Sequence, residues 1–465
     1  MERMAGVDAG FLYMETPTMH MHTLKVALIE PPDDFDIALL STEMLARLHL
    51  LPPLLRRILP VPLHLNHPLW IVDRAIDPGR HIHVHQLPKP GGRAELEALI
   101  GRIASIPLDR SIPLWELHVC QGLADGRVAI VAKLHHALAD GSAANALLGN
   151  VTDHPGGLPE RHQSIPALEL EHAPSGPTLV AAALKDAIRQ LAGLPALLWH
   201  TLAALVRLYR YKRTAAVPVP RPIIDTPRAS FNGPLTPRRI FATCTLPLDE
   251  IKRARHLHGV SVNDVVLAVV AGALRSWLEG RGERLDRPLM AAVPVATDDP
   301  DSAPRLVGNR VSNLFTTLAT DVADPHERLR TISRVTAEAK IVQQTLGRDM
   351  LTDWVQFTPP APFAAFMHLY SKARLAALHR PPINVVVSNV AGPQAPVRIA
   401  GAVLSDLFSV GPILEGIGLN VTAWSYLDRM NFSLLACPDL LPDLAPIVDG
   451  LQLALDDLAA EKVEL

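Results

Sequence analysis

At 465 residues the chain is long enough for two or three domains with large cores, and its 48% hydrophobic content is that of a globular protein. A net charge of −3 offers no basic surplus for a nucleic-acid partner. Cys120, Cys244 and Cys437 form neither a disulfide framework nor a Cys-x-x-Cys pair, which suits a cytoplasmic protein, and the first ten residues lack the apolar run of a signal peptide.

Taken in order, residues 22–30 read as a strand after a loop carrying Met19-His20-Met21. Apolar residues at Ile37, Leu40, Met44, Leu45 and Leu48 give helical spacing over 36–50. Short strands at 54–59 and 70–73 follow, separated by proline turns. His81-Ile-His-Val-His85 alternates strictly, so three imidazoles are expected on one strand face. No cysteine or carboxylate cluster accompanies them, and a polar wall is expected there rather than a metal site. A helix over 95–105 ends before Pro107, and a strand at 117–120 turns at Asp125-Gly126.

The next stretch, Ala129-Ile-Val-Ala-Lys-Leu-His135-His136-Ala-Leu-Ala-Asp140-Gly141, begins with the composition of a strand buried on both faces. It ends in a turn signal and an Ala/Leu-rich helix. Two histidines therefore stand where a strand stops, a position that opens into a crevice and suits catalysis. Histidine is the default general base because its ordinary pKa lies near neutrality. Read from the residues alone, the pair is either a hydrogen-bonded core feature or a catalytic one, and the Asp-Gly at this spacing favours catalysis.

Residues 151–177 form a Pro/Gly/His-rich connector, and 178–213 read as two helices joined at Pro195. The run from Gln190 to Val206 is uncharged but interrupted by Gly193-Leu-Pro195, so it is not expected to span a membrane. Its basic end (Arg207, Arg210, Lys212, Arg213) beside Trp199, Tyr209 and Tyr211 suits either an anionic membrane surface or a solvated interdomain tip. Val217-Pro-Val-Pro-Arg-Pro222 is a stiff linker. In the second half, strands are expected at 239–246, 290–295, 384–390, 399–410, 418–426 and 430–436, the last three completing one second sheet. Helices are expected at 248–258, from 260 onward, at 325–346 and at 442–463. Ser261 is a candidate N-cap, with Asn263 and Asp264 in the first turn.

Several of these stretches together resemble one family. Pro107-Leu-Asp109-Arg110-Ser-Ile-Pro113-Leu-Trp115, about twenty residues ahead of His135-His136-x-x-x-Asp140-Gly141, is similar to the bacterial wax ester synthase/diacylglycerol acyltransferase family. That family lies within the CoA-dependent acyltransferases and peptide-synthetase condensation domains. Gly6-Val-Asp8-Ala-Gly-Phe11-Leu-Tyr-Met-Glu15-Thr-Pro17, Phe231-Asn232-Gly233-Pro234, Asn263-Asp264, Gly308-Asn309-Arg310 and Ser388-Asn389-Val-Ala-Gly392-Pro393 extend the resemblance over nearly the whole chain. It implies an α/β fold of two chloramphenicol-acetyltransferase-like lobes, with mixed sheets, flanking helices and an active-site tunnel at their interface. The expected division is a first lobe at 1–160, a helical and proline-rich connector at 161–235 that is a candidate membrane contact, and a second lobe at 236–465.

The chemistry so implied moves a long-chain acyl group from acyl-CoA, a co-substrate rather than a bound cofactor, to diacylglycerol or a fatty alcohol. The family pattern assigns the general base to His136, whereas His135, pointing the other way, is structural. Asp140 either orients the base or pairs with an arginine to fix the loop, the role the resemblance implies, and Arg310 is the candidate partner. Gly141 is expected to permit close approach of substrate. Asn263 and Ser388 are candidate oxyanion donors, with ordinary helix-start and strand-end roles as the alternatives. No phosphate-binding glycine loop, Gly-x-Ser-x-Gly elbow or metal site is found. Two other functions fit the same motif: a condensation-type enzyme using a carrier-protein thioester, and a weakly catalytic lipid-binding relative. Insoluble products suit a cytoplasmic enzyme peripheral to the inner face of the membrane or to lipid droplets.

Overall fold

The computed structural model describes residues 1–33, 35–73, 76–153, 173–213, 220–297, 305–347 and 350–460. Two six-stranded mixed sheets organise it. The first runs Arg398–Ile399, Ala402–Val410, His22–Glu30, Val128–His135, Trp115–Gln121, Ile82–Gln86, antiparallel throughout except for its last pair. The second runs Val311–Thr317, Met290–Ala296, Val385–Ala391, Leu419–Tyr426, Arg429–Ala436, Ile240–Pro247, with Val385–Ala391 parallel to both neighbours. Each sheet is flanked by helices, the two-lobed α/β architecture the sequence implied.

One strand crosses between the lobes. Ala402–Val410, expected in the second sheet, pairs along its length with His22–Glu30 in the first. Burial pattern told only that this strand is interior, and pairing partners are set by the chain's path, which alternation does not encode. The region 236–465 is therefore not confined to the second sheet. The other expected boundary, near 160, lies outside the described residues, as do most of the connector 151–177, part of the proline linker and the end of the closing helix, described as Ala445–Ala459.

The second lobe's core lies on one face of its sheet, where Val385 and Val387 meet the apolar helix Val262–Gly280 and the helices Pro325–Leu346 and Ala445–Ala459. Ser261 and Asp264 start Val262–Gly280 with a reciprocal capping box, each accepting a backbone N–H of the other. The lobes are joined where the helix Arg93–Ala104 seats against Ile240–Pro247: Glu97 accepts the Thr243 N–H at 2.7 Å, and Ser105 accepts that of Arg239 at 2.8 Å.

Residues 176–212 form one continuous helix, Gly176–Lys212, instead of the two expected. Pro195 removes an N–H from the ladder, but Pro195 and Leu191 are both exposed, so water can satisfy the orphaned Leu191 carbonyl and the helix continues. Its inner side is tied to the first lobe by Arg3–Asp186 at 2.7 Å. It is tied to the second by Trp354 donating to Thr201 at 2.9 Å and Tyr211 donating to Glu338 at 2.6 Å. Its outer side exposes Leu184, Ile188, Leu191, Leu198, Leu202, Leu205 and Tyr209, a stripe at helical spacing. By length and composition this helix is apolar enough to cross a membrane.

Candidate active site

Val128–His135 ends at a sharp turn that sends its two histidines to different surroundings. His135 is buried, and its Nε2 bonds Glu15 at 2.9 Å while its Nδ1 accepts the Ala137 N–H. The accepting Nδ1 makes Nε2 the donor. Arg110, from the Pro-Leu-Asp-Arg block, also reaches Glu15 at 2.6 Å. Burial alone would raise the Glu15 carboxyl, but the bonds and charges of His135 and Arg110 hold it down at about 2. His135 is thus a structural clamp, and the conspicuous block ahead of it supplies the arginine that completes the clamp.

His136 is arranged differently. Its N–H donates to the Met21 carbonyl at 2.7 Å, and Phe11 stacks on the ring at 4.2 Å and 17°. Its Nδ1 lies 3.1 Å from Asn309 Oδ1. The Asn309 amide nitrogen donates to Asp8 Oδ1 at 2.7 Å and to the His136 carbonyl at 2.8 Å, both acceptors, which fixes which end of the amide faces the ring. Nδ1 must then carry the proton, and Nε2 is left with a lone pair that no described residue engages. Burial pushes the imidazole down to about 4 against the raising effects of its own backbone carbonyl and the Asp140 carboxylate, so it is neutral at physiological pH.

Asp140 fixes the loop. Its Oδ1 accepts the Ala143 N–H and caps the helix Gly141–Val151, while Oδ2 takes the Arg305 guanidinium at 2.6 Å and the Arg310 N–H at 2.8 Å. The arginine partner is therefore Arg305; Arg310, the expected one, contributes only its backbone. No bond joins Asp140 to His136. Gly308 donates to the Leu138 carbonyl at 2.9 Å, so the stretch 305–310 of the second half grips the histidine loop along its length.

The other candidates divide. Gly141 has no left-handed backbone; a Cβ there would meet Val390 at 3.5 Å, so its neighbour is a second-lobe strand. Ser388 lies two residues before Val390 on the same face of that strand, the face turned toward the first lobe. Asn263 is not brought to this cluster. It opens a helix that packs on the opposite face of the second sheet, and its neighbour Asp264 is spent on the capping box and on Ser333 at 3.2 Å. The first turn of a long apolar helix read as a site because polar residues there are conspicuous, but capping explains Asp264.

The expected face of three imidazoles is also altered. His81 ends a helical turn, buried and stacked on Trp115 at 4.2 Å, while His83 and His85 stack on His118. No group of three or more His, Cys, Asp or Glu among the described residues is arranged to hold a metal ion. Sequence reasoning passed over Asp8, Phe11, Glu15 and Asn309. All four lie in stretches that carried the family resemblance, which was the available signal.

Beside the histidine loop lies an apolar cavity of about 120 Å³, between the first sheet and the helix that Asp140 caps. Ile130, Ala132 and Leu134 of the histidine strand form its floor, Ala144 and Leu147 its roof, and Lys25 and Glu116 are its only charged lining residues among the described residues. Lys25 donates to Ser409 at 2.6 Å and lies 5.0 Å above the Trp424 ring; burial lowers its ammonium to about 8.

Comparison with known proteins places these features in context. A family model described as the wax ester synthase/diacylglycerol acyltransferase catalytic domain matches residues 4–266, and the corresponding C-terminal domain matches residues 307–459. A Mycobacterium tuberculosis protein provisionally named diacylglycerol O-acyltransferase is 39% identical over 459 residues, 97% of this chain and 94% of its own. A second from that organism, named likewise, is 34% identical over 98% and 90%. Among solved structures, the wax ester synthase/diacylglycerol acyltransferase from Marinobacter aquaeolei VT8 superposes with a TM-score of 0.68 at 26% identity, covering 98% of each chain. The first condensation domain of the CDA synthetase shares the fold alone, at a TM-score of 0.56 and 16% identity over 99% and 96%.

Proposed function

The chain belongs to the wax ester synthase/diacylglycerol acyltransferase family, and from the geometry around His136 we propose that it transfers a long-chain acyl group from acyl-CoA to diacylglycerol or a fatty alcohol with His136 as general base. The observation that carries this reading is the imidazole itself: neutral, held by Asn309 at Nδ1, covered by Phe11 and open at Nε2. An alcohol attacking a thioester must lose its proton as the new C–O bond forms, and a positioned imidazole that takes it contributes about 10²–10⁴-fold. The tetrahedral adduct collapses by breaking the C–S bond. The imidazolium then returns the proton to the departing CoA thiolate, whose thiol pKa of about 8.5 makes it a far better leaving group than an alkoxide. No covalent enzyme intermediate is needed. Ser388, on the face turned toward the first lobe, is the remaining candidate oxyanion donor.

The apolar cavity supports an acyl chain as the group transferred, because it lies on the same sheet face as Leu134 and beneath the helix that follows His136. Its volume is near that of an engineered cavity that admits benzene, so a long chain needs more room than the cavity alone provides. The exposed stripe of Gly176–Lys212 supports a lipid surface as the place of work. With its inner side bonded to both lobes, this helix can lie on a membrane or droplet but cannot cross one while those bonds hold.

The test is direct. Purified protein with radiolabelled acyl-CoA of increasing chain length and either diacylglycerol or hexadecanol is expected to form neutral lipid. His136→Ala is expected to lose at least 10²-fold in kcat with an unchanged circular dichroism spectrum. Near-normal turnover by a folded His136→Ala protein removes His136 as the base, and turnover only with an acyl-carrier protein replaces CoA as the donor.

A further inference from the structure

Resting on His136 as the base, we propose that Asn309 and Asp8 form a positioning relay in which a neutral amide, backed by a carboxylate, fixes the tautomer and aim of the imidazole. The usual device for this purpose is a carboxylate directly on Nδ1, which orients the ring and stabilises its charged form. Here Nδ1 faces the Asn309 carbonyl oxygen, alongside the backbone carbonyl of His136 itself, and the amide orients the ring without placing a full charge on it. The carboxylate stands one residue further back, at Asp8.

Asp8 grips Asn309 twice. Oδ1 accepts both the Asn309 backbone N–H at 3.0 Å and its side-chain N–H at 2.7 Å. Turning the amide over would bring a carbonyl oxygen against a carboxylate and an NH₂ against the ring, so the arrangement selects one orientation. Gly308, in the left-handed region at φ +75°, makes this approach possible: a Cβ there would stand 3.1 Å from Asp8 Oδ2. On the short helix Gly6–Met14, Asp8 and Phe11 are three residues apart and so share a face. One reaches Asn309, and the other covers the imidazole.

Around Asp8 stand Arg305 and Asp140 from the clamped loop, with Glu2, Arg3, Arg56 and Arg310 around the adjoining polar cleft. Burial pushes the Asp8 carboxyl up to about 7 against the lowering effect of the Asn309 bonds, the cost of keeping it out of water. The relay joins residues 301 positions apart, so the base of the first lobe is set by an amide of the second.

The test compares Asn309→Ala, Asp8→Asn and the double variant Asp8→Asn with Asn309→Asp against the parent by kcat, KM, pH profile and melting temperature. Protein labelled with ¹⁵N-histidine, with His136 assigned by difference from His136→Gln, reports the tautomer. The parent is expected to show the Nδ1–H form. Asn309→Ala is expected to lose on the order of 10²-fold in kcat with KM within about twofold, and to mix the tautomers. Asn309→Asp keeps an acceptor at Nδ1 but sets its second oxygen against Asp8, so it is combined with Asp8→Asn, and the double variant is expected to recover at least tenfold over Asn309→Ala. Its carboxylate, now at Nδ1, should move the acid limb of the kcat profile to higher pH. Asp8→Asn should fall between. An Nε2–H tautomer in the parent, wild-type kcat in Asn309→Ala, or an unmoved acid limb in the double variant overturns the proposal. The tautomer measurement stands even where the acyl-transfer assay fails, so the relay and the proposed function can fail separately.

Discussion

Asp140 shows how much one side chain in the Asp-Gly turn is asked to do: cap a helix with one oxygen and anchor a second-lobe loop with the other. Arg305 and Asp140 are both largely out of solvent, with side-chain exposures of 14% and 5%. Removing one partner of such a pair leaves an uncompensated buried charge, typically costing about 3–5 kcal/mol. Asp140→Ala is therefore expected to lower unfolding free energy by about 3 kcal/mol or more in urea titrations, and kcat should fall with it as the His136 loop loosens. Unchanged stability would show that the pair is not holding the loop. At this scale the sequence made legible the histidine pair and the opposite directions of its two members, and the family resemblance implied the arginine pairing of Asp140. It did not make Arg305 legible, because the carboxylate takes a side chain from Arg305 and a backbone N–H from Arg310, and spacing does not say which residue sends its guanidinium.

Among the elements, Gly176–Lys212 departs most from expectation and bears most on where the protein works. A stripe of large apolar side chains facing water is costly unless something covers it, and the basic residues at its end suit either an anionic lipid surface or a solvated tip. Replacing Leu191, Leu198 and Leu202 by Ser is expected to weaken sedimentation with vesicles of anionic phospholipid at least fivefold. The melting temperature should stay within about 2 °C, since none of the three is buried. Undiminished vesicle binding would show that this helix is not the contact. Many other elements were legible from periodicity, including Leu248–His258 and Pro325–Leu346 to the residue, but the edge strand Val311–Thr317 and the helices Met350–Val355 and Pro360–Lys372 were not. The strand Ala402–Val410 was legible as a strand but not as a member of the first sheet. A buried strand has the same composition in either lobe.

Taken as a whole, the molecule buries an unusual set of imidazoles. His20 is pushed down to about 4 by burial and by Arg239, and His136 to about 4 by burial, while burial also lowers His22, His67, His81, His118 and His135. A histidine whose pKa is lowered on folding leaves the unfolded chain binding more protons, so stability is retained above about pH 6.5 and lost as pH falls toward 4. Glu15 and Glu116, both held at about 2, add stability that is intact above about 4.5 and lost below it. Asp8 works the other way, its raised pKa costing stability as pH rises from about 4 to 7, but it is one group against seven. The melting temperature is therefore expected to fall steeply between pH 6.5 and pH 4, with net proton uptake on unfolding. A flat profile from pH 7 to pH 5 would mean that these histidines are not buried neutral.

His135-His136-x-x-x-Asp140-Gly141 and the motifs around it determined, without coordinates, the two-lobed α/β architecture and the acyltransferase family. Both were implied by the resemblance of short motifs to one family, motifs whose residue types the chemistry requires. Only the tertiary structure decided which groups surround His136. Asn309 and Asp8 meet across the lobes, Arg305 replaces the expected arginine, and Asn263 falls on the far side of a sheet. The physical reason is the same in each case: hydrogen bonds and ion pairs are made between atoms a few ångströms apart, and the fold alone brings together side chains that the sequence separates by hundreds of residues.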